Sequence, residues 1–126
     1  MPVDLIDRGA KWLAGKRATL LVRDVEYRVA GGATLQVQAT IGRTEFEVVT
    51  ASGFVERIES RDFIVAAGAL GGDPKRGDRI VETDGVTAWT YEALSMPGQS
   101  HWRWADASRT AVRIFTKLVG TEVVGG

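Results

Sequence analysis

The one histidine, His101, adjoins Ser100 and lies close to Asp106 and Ser108, the residue types of a nucleophilic triad. In a strand, however, neighbouring side chains point to opposite faces, and no strained nucleophile elbow surrounds either serine. One histidine and no cysteine cannot build a closed zinc site, and the acidic residues lack calcium-loop spacing. The glycines match neither the P-loop nor the dinucleotide fingerprint and read as turn residues. Catalysis and a metal or cofactor are therefore not expected.

Two further motifs suggest binding. Arg76-Gly77-Asp78 has the form of an adhesion tripeptide, but Gly77 suits a tight turn into a strand and Asp78 can hold that turn by bonding to backbone. In Trp102-Arg103-Trp104 both indoles fall on one strand face and Arg103 on the other. Such a pair could stack on bases, with Lys75, Arg76 and Arg79 as a basic edge. Inward-facing tryptophans serve as core more often than as stacking platforms. The equal counts of sixteen basic and sixteen acidic residues also give no net field toward nucleic acid or anionic membrane.

The elements that would carry these residues are mostly strands. At 126 residues, 44% hydrophobic and 25% charged, the chain is expected to fold as one globular domain. No apolar run approaches a bilayer span, and the amino-terminal segment lacks the basic and apolar regions of an export signal, so synthesis in the cytosol is expected. Leu5, Ile6, Trp12 and Leu13 fall at helical spacing, which predicts a short amphipathic helix over residues 1–17, packing on or extending from a β domain over 18–126.

From residue 18 the period changes to two. Val25, Tyr27 and Val29 alternate, as do Leu35, Val37, Ala39 and Ile41, and a loop of Ala30, Gly31 and Gly32 brings the two apolar faces together. Gly42-Arg43 suits a type II′ turn that would set Ala39 opposite Phe46, completing a three-stranded meander over residues 25–50. Short segments over 54–58 and 62–66 follow, then a Gly-rich break from Gly68 to Gly77. An Asp84-Gly85 turn would place Ile80 opposite Trp89, and Met96-Pro97-Gly98-Gln99 forms another turn. Last come strands over 101–104 and 110–119. Many short strands without a βαβ rhythm predict a mainly β fold, a small antiparallel barrel or sandwich with one short amino-terminal helix.

In order, the segments 39–46 (Ala-Thr-Ile-Gly-Arg-Thr-Glu-Phe), 60–65 (Ser-Arg-Asp-Phe-Ile-Val), 74–80 (Pro-Lys-Arg-Gly-Asp-Arg-Ile), 102–106 (Trp-Arg-Trp-Ala-Asp) and 113–117 (Arg-Ile-Phe-Thr-Lys) resemble the head-tail joining, head-closure or stopper proteins of tailed phages and prophages. In that family a proline and a Gly-Asp element lead into a strand, a turn and a tyrosine-containing strand, whose tyrosine would be Tyr91. The resemblance implies a virion protein, made in the bacterial cytoplasm, that forms a ring with copies of itself in the neck. Its partners would be the portal or adaptor and tail-terminator proteins, with packaged double-stranded DNA close by and no membrane.

On this reading Lys75, Arg76, Asp78 and Arg79 are candidates for the DNA channel or ring interface. Gly71, Gly72, Asp73, Pro74, Met96 and Pro97 are candidates for partner-contact loops, and Trp89, Tyr91, Trp102 and Trp104 for aromatic core or stacking. The alternatives are a tail-terminator or minor tail subunit, and a single-strand-binding barrel.

Overall fold

The computed structural model describes residues 21–124. The amino-terminal helix expected over 1–17 lies outside the described residues. Among the described residues seven strands form one antiparallel sheet: β1 (Leu21–Arg28), β2 (Thr34–Val49), β3 (Val55–Ala66), β4 (Arg79–Asp84), β5 (Thr87–Ala93), β6 (Trp102–Trp104) and β7 (Ala111–Val123). Because β3 pairs with β7 as well as with β2, the pairings run in a closed ring, β1-β2-β3-β7-β5-β4 and back to β1, with β6 added beside β7.

The first hairpin has the expected register. Tyr27 faces Leu35 and Val25 faces Val37, and Val29 N–H donates to Ala33 C=O across the loop, where Gly31 supplies a positive φ of 72°. Alternate residues of β1 and β2 therefore meet inside the ring. There Val25, Tyr27, Val37, Ala39, Phe63, Val65, Ile80, Ala93, Val112 and Ile114 form the core. Burying each large side chain contributes about 1.5–3 kcal/mol, and the ring order makes these contacts mutual.

The expected turn at Gly42-Arg43 does not form. β2 runs straight through it for 16 residues, with Gly42 opposite Asp62 and Phe46 opposite Ile58, so the meander over 25–50 is instead two strands, the second very long. The change of phase in the apolar pattern has another cause. Up to Ile41 the odd-numbered residues face the ring interior; beyond it the even-numbered Thr44, Phe46 and Val48 are sheltered on the opposite face, where Phe46 meets the fully buried Phe115 edge to face at 5.6 Å. At the crossover a Cβ on Gly42 would lie 3.0 Å from the Arg113 guanidinium, which would have to shift to admit it.

Two other expectations shift. The segments over 54–58 and 62–66 are parts of one strand, β3. The β4–β5 turn is Gly85-Val86, with glycine first at φ 65°, so Trp89 lies opposite Glu82 and Tyr91 opposite Ile80. The Gly-rich break and the Met96–Gln99 turn form as expected, the latter closed by a bridge between its end residues.

Candidate functional site

The antiparallel register sends every long loop to one end of the ring and leaves the other end to two tight turns. At the loop end the organising residue is the buried Asp78. Its carboxylate accepts hydrogen bonds from the Tyr27 hydroxyl, from Ala30 N–H at 2.7 Å and from Lys75 N–H at 2.8 Å. One side chain thus ties the first hairpin loop to the loop that precedes β4. Burial first, and then the bond and charge of Asp78, raise the Tyr27 phenol far above its ordinary pKa.

His101 fastens the same loop from the other side, its Nε2 lying 2.7 Å from the Pro74 carbonyl oxygen. The imidazole therefore braces the loop, and its Nδ1 lies 3.4 Å from the exposed Ser100 hydroxyl. Asp106 holds the β6–β7 loop by accepting from the Thr110 hydroxyl, Thr110 N–H and Ala111 N–H. These bonds, the hydroxyl first, keep its pKa below the usual carboxylate value.

Between these braces Lys75 and Arg76 are exposed, and no ion pair engages either of them among the described residues. Arg79 is exposed as well, but its guanidinium lies 3.0 Å from Glu92. Gly71, Gly72 and Asp73 are exposed at the loop tip, whereas Pro74 and Met96 are buried and Pro97 is half-buried. Trp102 and Trp104 stack edge to face at 5.2 Å and pack on the core, with the Arg109 guanidinium over Trp104. Arg103 points the other way, over Phe115.

Two ionic clusters involve residues far apart in the chain. Inside the ring, near the end opposite the loops, Arg61 grips Glu82 with bonds of 2.7 and 2.9 Å. Arg23 Nε lies 3.2 Å from the same carboxylate without hydrogen-bond alignment and is buried with no other partner. The bond to Glu82 raises the Arg61 pKa further, and the guanidinium lies over the rings of Tyr91 and Phe63. Burial raises the Tyr91 phenol.

On the outer face, the fully buried Asp62 accepts from Arg113 Nε at 2.7 Å and from the hydroxyls of Ser60 and Thr44. No local motif announces either cluster, since the partners stand 21 and 51 residues apart.

The described residues thus present no convergent acid, base and nucleophile. They form an antiparallel sheet whose pairings close into a ring, with a braced, partly cationic loop end. The sequence from residue 3 to residue 123 matches the family of phage head-tail joining proteins. The chain belongs to that family. No curated protein matches it. As a head-tail joining protein it is a structural component of the phage neck, part of the virion, and meets other proteins of head and tail. Families of this kind are not normally enzymatic.

Proposed function

We propose that this head-tail joining protein is a head-closure or stopper subunit: copies form a ring between portal complex and tail, retain the packaged DNA and offer the tail its docking surface. The family match over nearly the whole chain carries this reading.

The physical properties of the chain support it. The closed run of pairings, read as a small barrel, joins β3 to β7 and β4 to β1 around the core, which supports a stiff body for a load-bearing ring. Zero net charge lets many copies sit side by side without collective repulsion. Lys75 and Arg76 sit on a loop fixed at Pro74 and Asp78, so repeated around a ring they would hold cations at a set radius. Double-stranded DNA carries about one negative charge per 1.7 Å of axis, and contact with it would be sequence-independent and salt-sensitive. The tip at Gly71, Gly72 and Asp73, with Pro97 nearby, is the proposed contact with adjoining neck proteins.

Disruption of the gene tests the proposal. Without the chain, filled heads should accumulate unjoined to tails and lose their DNA, and supplying the chain in trans should restore both joining and retention. Heads that keep their DNA beside tails of uncontrolled length would move the chain to the tail terminus. A full yield of joined particles would refute a neck role.

A further inference from the structure

β2 keeps β3 beside it to its last residue, with Thr40 to Val49 opposite Ile64 to Val55, but on its other side β1 begins only at Leu21, opposite Ile41. Among the described residues, the β2 edge over 42–49 that faces away from β3 therefore has no partner strand. The hairpin is otherwise well seated. Phe46 packs on Phe115, and on the β3 side Lys117 Nζ donates to Glu59 C=O at 3.2 Å. An open edge of this length is a template for a further strand.

Glu45 marks what that strand should carry. It stands directly opposite Glu59, a like-charged cross-strand pair that disfavours the hairpin. The acids on either side of it have cations, Glu59 with Arg43 at 3.4 Å and Glu47 with Arg57 at 3.4 Å. Glu45 is exposed and has no ion pair among the described residues.

The chain that enters β1 comes from this end of the ring. Residues just before Leu21 can reach the uncovered stretch by prolonging a strand pair already formed, with no loop to close, whereas a second copy would lose translational and rotational freedom to do so. Carrying the register of Leu21 with Ile41 backward sets Leu20 opposite Gly42, Thr19 opposite Arg43, Ala18 opposite Thr44, Arg17 opposite Glu45 and Lys16 opposite Phe46. Arg17 then faces Glu45 across the strands with Glu47 on its diagonal, an arrangement in which opposite charges attract. Gly15, of the type that commonly ends helices, precedes the stretch, so the helix expected before it would stop there.

We infer that residues 16–20, which lie outside the described residues, extend β1 along the open β2 edge of the same chain, with Arg17 against Glu45. The hairpin becomes three strands wide over 42–46, and its outer edge becomes one that bears Lys16 and Arg17. Residues 1–15 are thereby directed toward the hairpin tip at Val49 and Phe54, at the opposite end of the ring from Lys75 and Arg76.

The chain has no cysteine, so introduced pairs can be cross-linked without background. Cross-strand neighbours have Cα atoms about 4.5–5.5 Å apart, within reach of a disulfide, while adjacent residues of a strand face opposite ways. On mild oxidation of the full chain, Arg17→Cys with Glu45→Cys should therefore close at least tenfold faster than Lys16→Cys with Glu45→Cys. Equal rates would overturn the extension. Separate chains carrying Arg17→Cys or Glu45→Cys alone, mixed and oxidised, should give no excess of mixed dimer over homodimers; a several-fold excess would hand the edge to a neighbouring copy and overturn the assignment to the same chain.

Amide hydrogen exchange reads the same contact without cysteines. In the double variant Arg17→Pro, Ala18→Pro, one proline must remove a donor that faces β2, because successive amides point to opposite sides of a strand. The amides of 42–46 that point away from β3 should exchange at least tenfold faster in this variant than in the unmodified chain, and those paired with β3 should be unchanged. Equal exchange in the two proteins would overturn the extension. It concerns the single chain and not the ring, so its failure would leave the neck proposal standing.

Discussion

Replacing Asp78 by alanine removes the acceptor for three donors at once: the Tyr27 hydroxyl, Ala30 N–H and Lys75 N–H. Their losses are unequal. Ala30 and Lys75 are exposed, so their amides can turn to water, whereas Tyr27 is fully buried and its hydroxyl would be stranded. A stranded buried donor costs about 1–3 kcal/mol, and each bond to a charged acceptor contributes about 1.5–3 kcal/mol before water compensates, which together give a loss of about 4 kcal/mol. Domains of this kind have roughly 5–15 kcal/mol in all, so the variant should fold but be fragile. With a urea dependence of about 2 kcal/mol per molar, the unfolding midpoint should fall by about 2 M at unchanged slope.

Two companion variants separate the bonds from mere loss of charge. Asp78→Asn keeps one acceptor oxygen but aims an amide at a donor, and should lose about half as much. Tyr27→Phe should cost about 1–2 kcal/mol, and combined with Asp78→Ala should add much less than its separate effect, because both remove the same bond. A midpoint shift under about 0.5 M for Asp78→Ala would refute the account of this residue as the brace of the loop end.

Further outcomes follow from the same structure. Gly42→Ala should push the Arg113 guanidinium from its seat 3.0 Å from the new methyl and weaken its bond to Asp62, costing about 1–2 kcal/mol in urea unfolding; an unchanged midpoint would show that the arginine finds another path. Phe115→Ala should cost about 3–5 kcal/mol, and should unseat Phe46 so that protease nicks the β2–β3 hairpin before the rest of the sheet. Because the folded-state pKa of Tyr27 is raised, its contribution to stability is complete below the ordinary phenol value of about 10 and is lost as pH climbs beyond it. Circular dichroism should therefore show Tyr27→Phe losing stability less steeply above that pH than the unmodified chain, and equal slopes would count against a buried, neutral phenol.

The parts legible in the sequence are those governed by local alternation. Val25, Tyr27, Leu35 and Val37 repeat with period two around Gly31 and Gly32, and only one register brings their apolar faces together. The same rule failed at Gly42 because it supposes that a strand has one sheltered face along its whole length. β2 is sheltered first on the ring side and then, past Gly42, on the side of Phe115, and that reversal imitates a turn. At Gly85 the turn falls one residue later than expected, which changes each partner by two positions yet keeps Trp89 on the same face.

The backbone role of Asp78 was visible in its turn context, while its grip on Tyr27 was not. The pairs of Asp62 with Arg113 and of Arg61 with Glu82 depend on ring closure, and nothing short of the fold brings them together. Exposed apolar residues such as Phe54 are similarly silent in sequence, since only the path of β2 and β3 shows that no described residue covers them.

The central claim, a subunit of the neck, is tested most directly by imaging the particle. Reconstruction of the head-tail junction from virions with a label fused to this chain should place it in a ring between portal complex and tail, with the loop that bears Lys75 and Arg76 toward the DNA axis. Label over the capsid shell or at the distal tail tip, or virions that lack the chain altogether, would contradict the account.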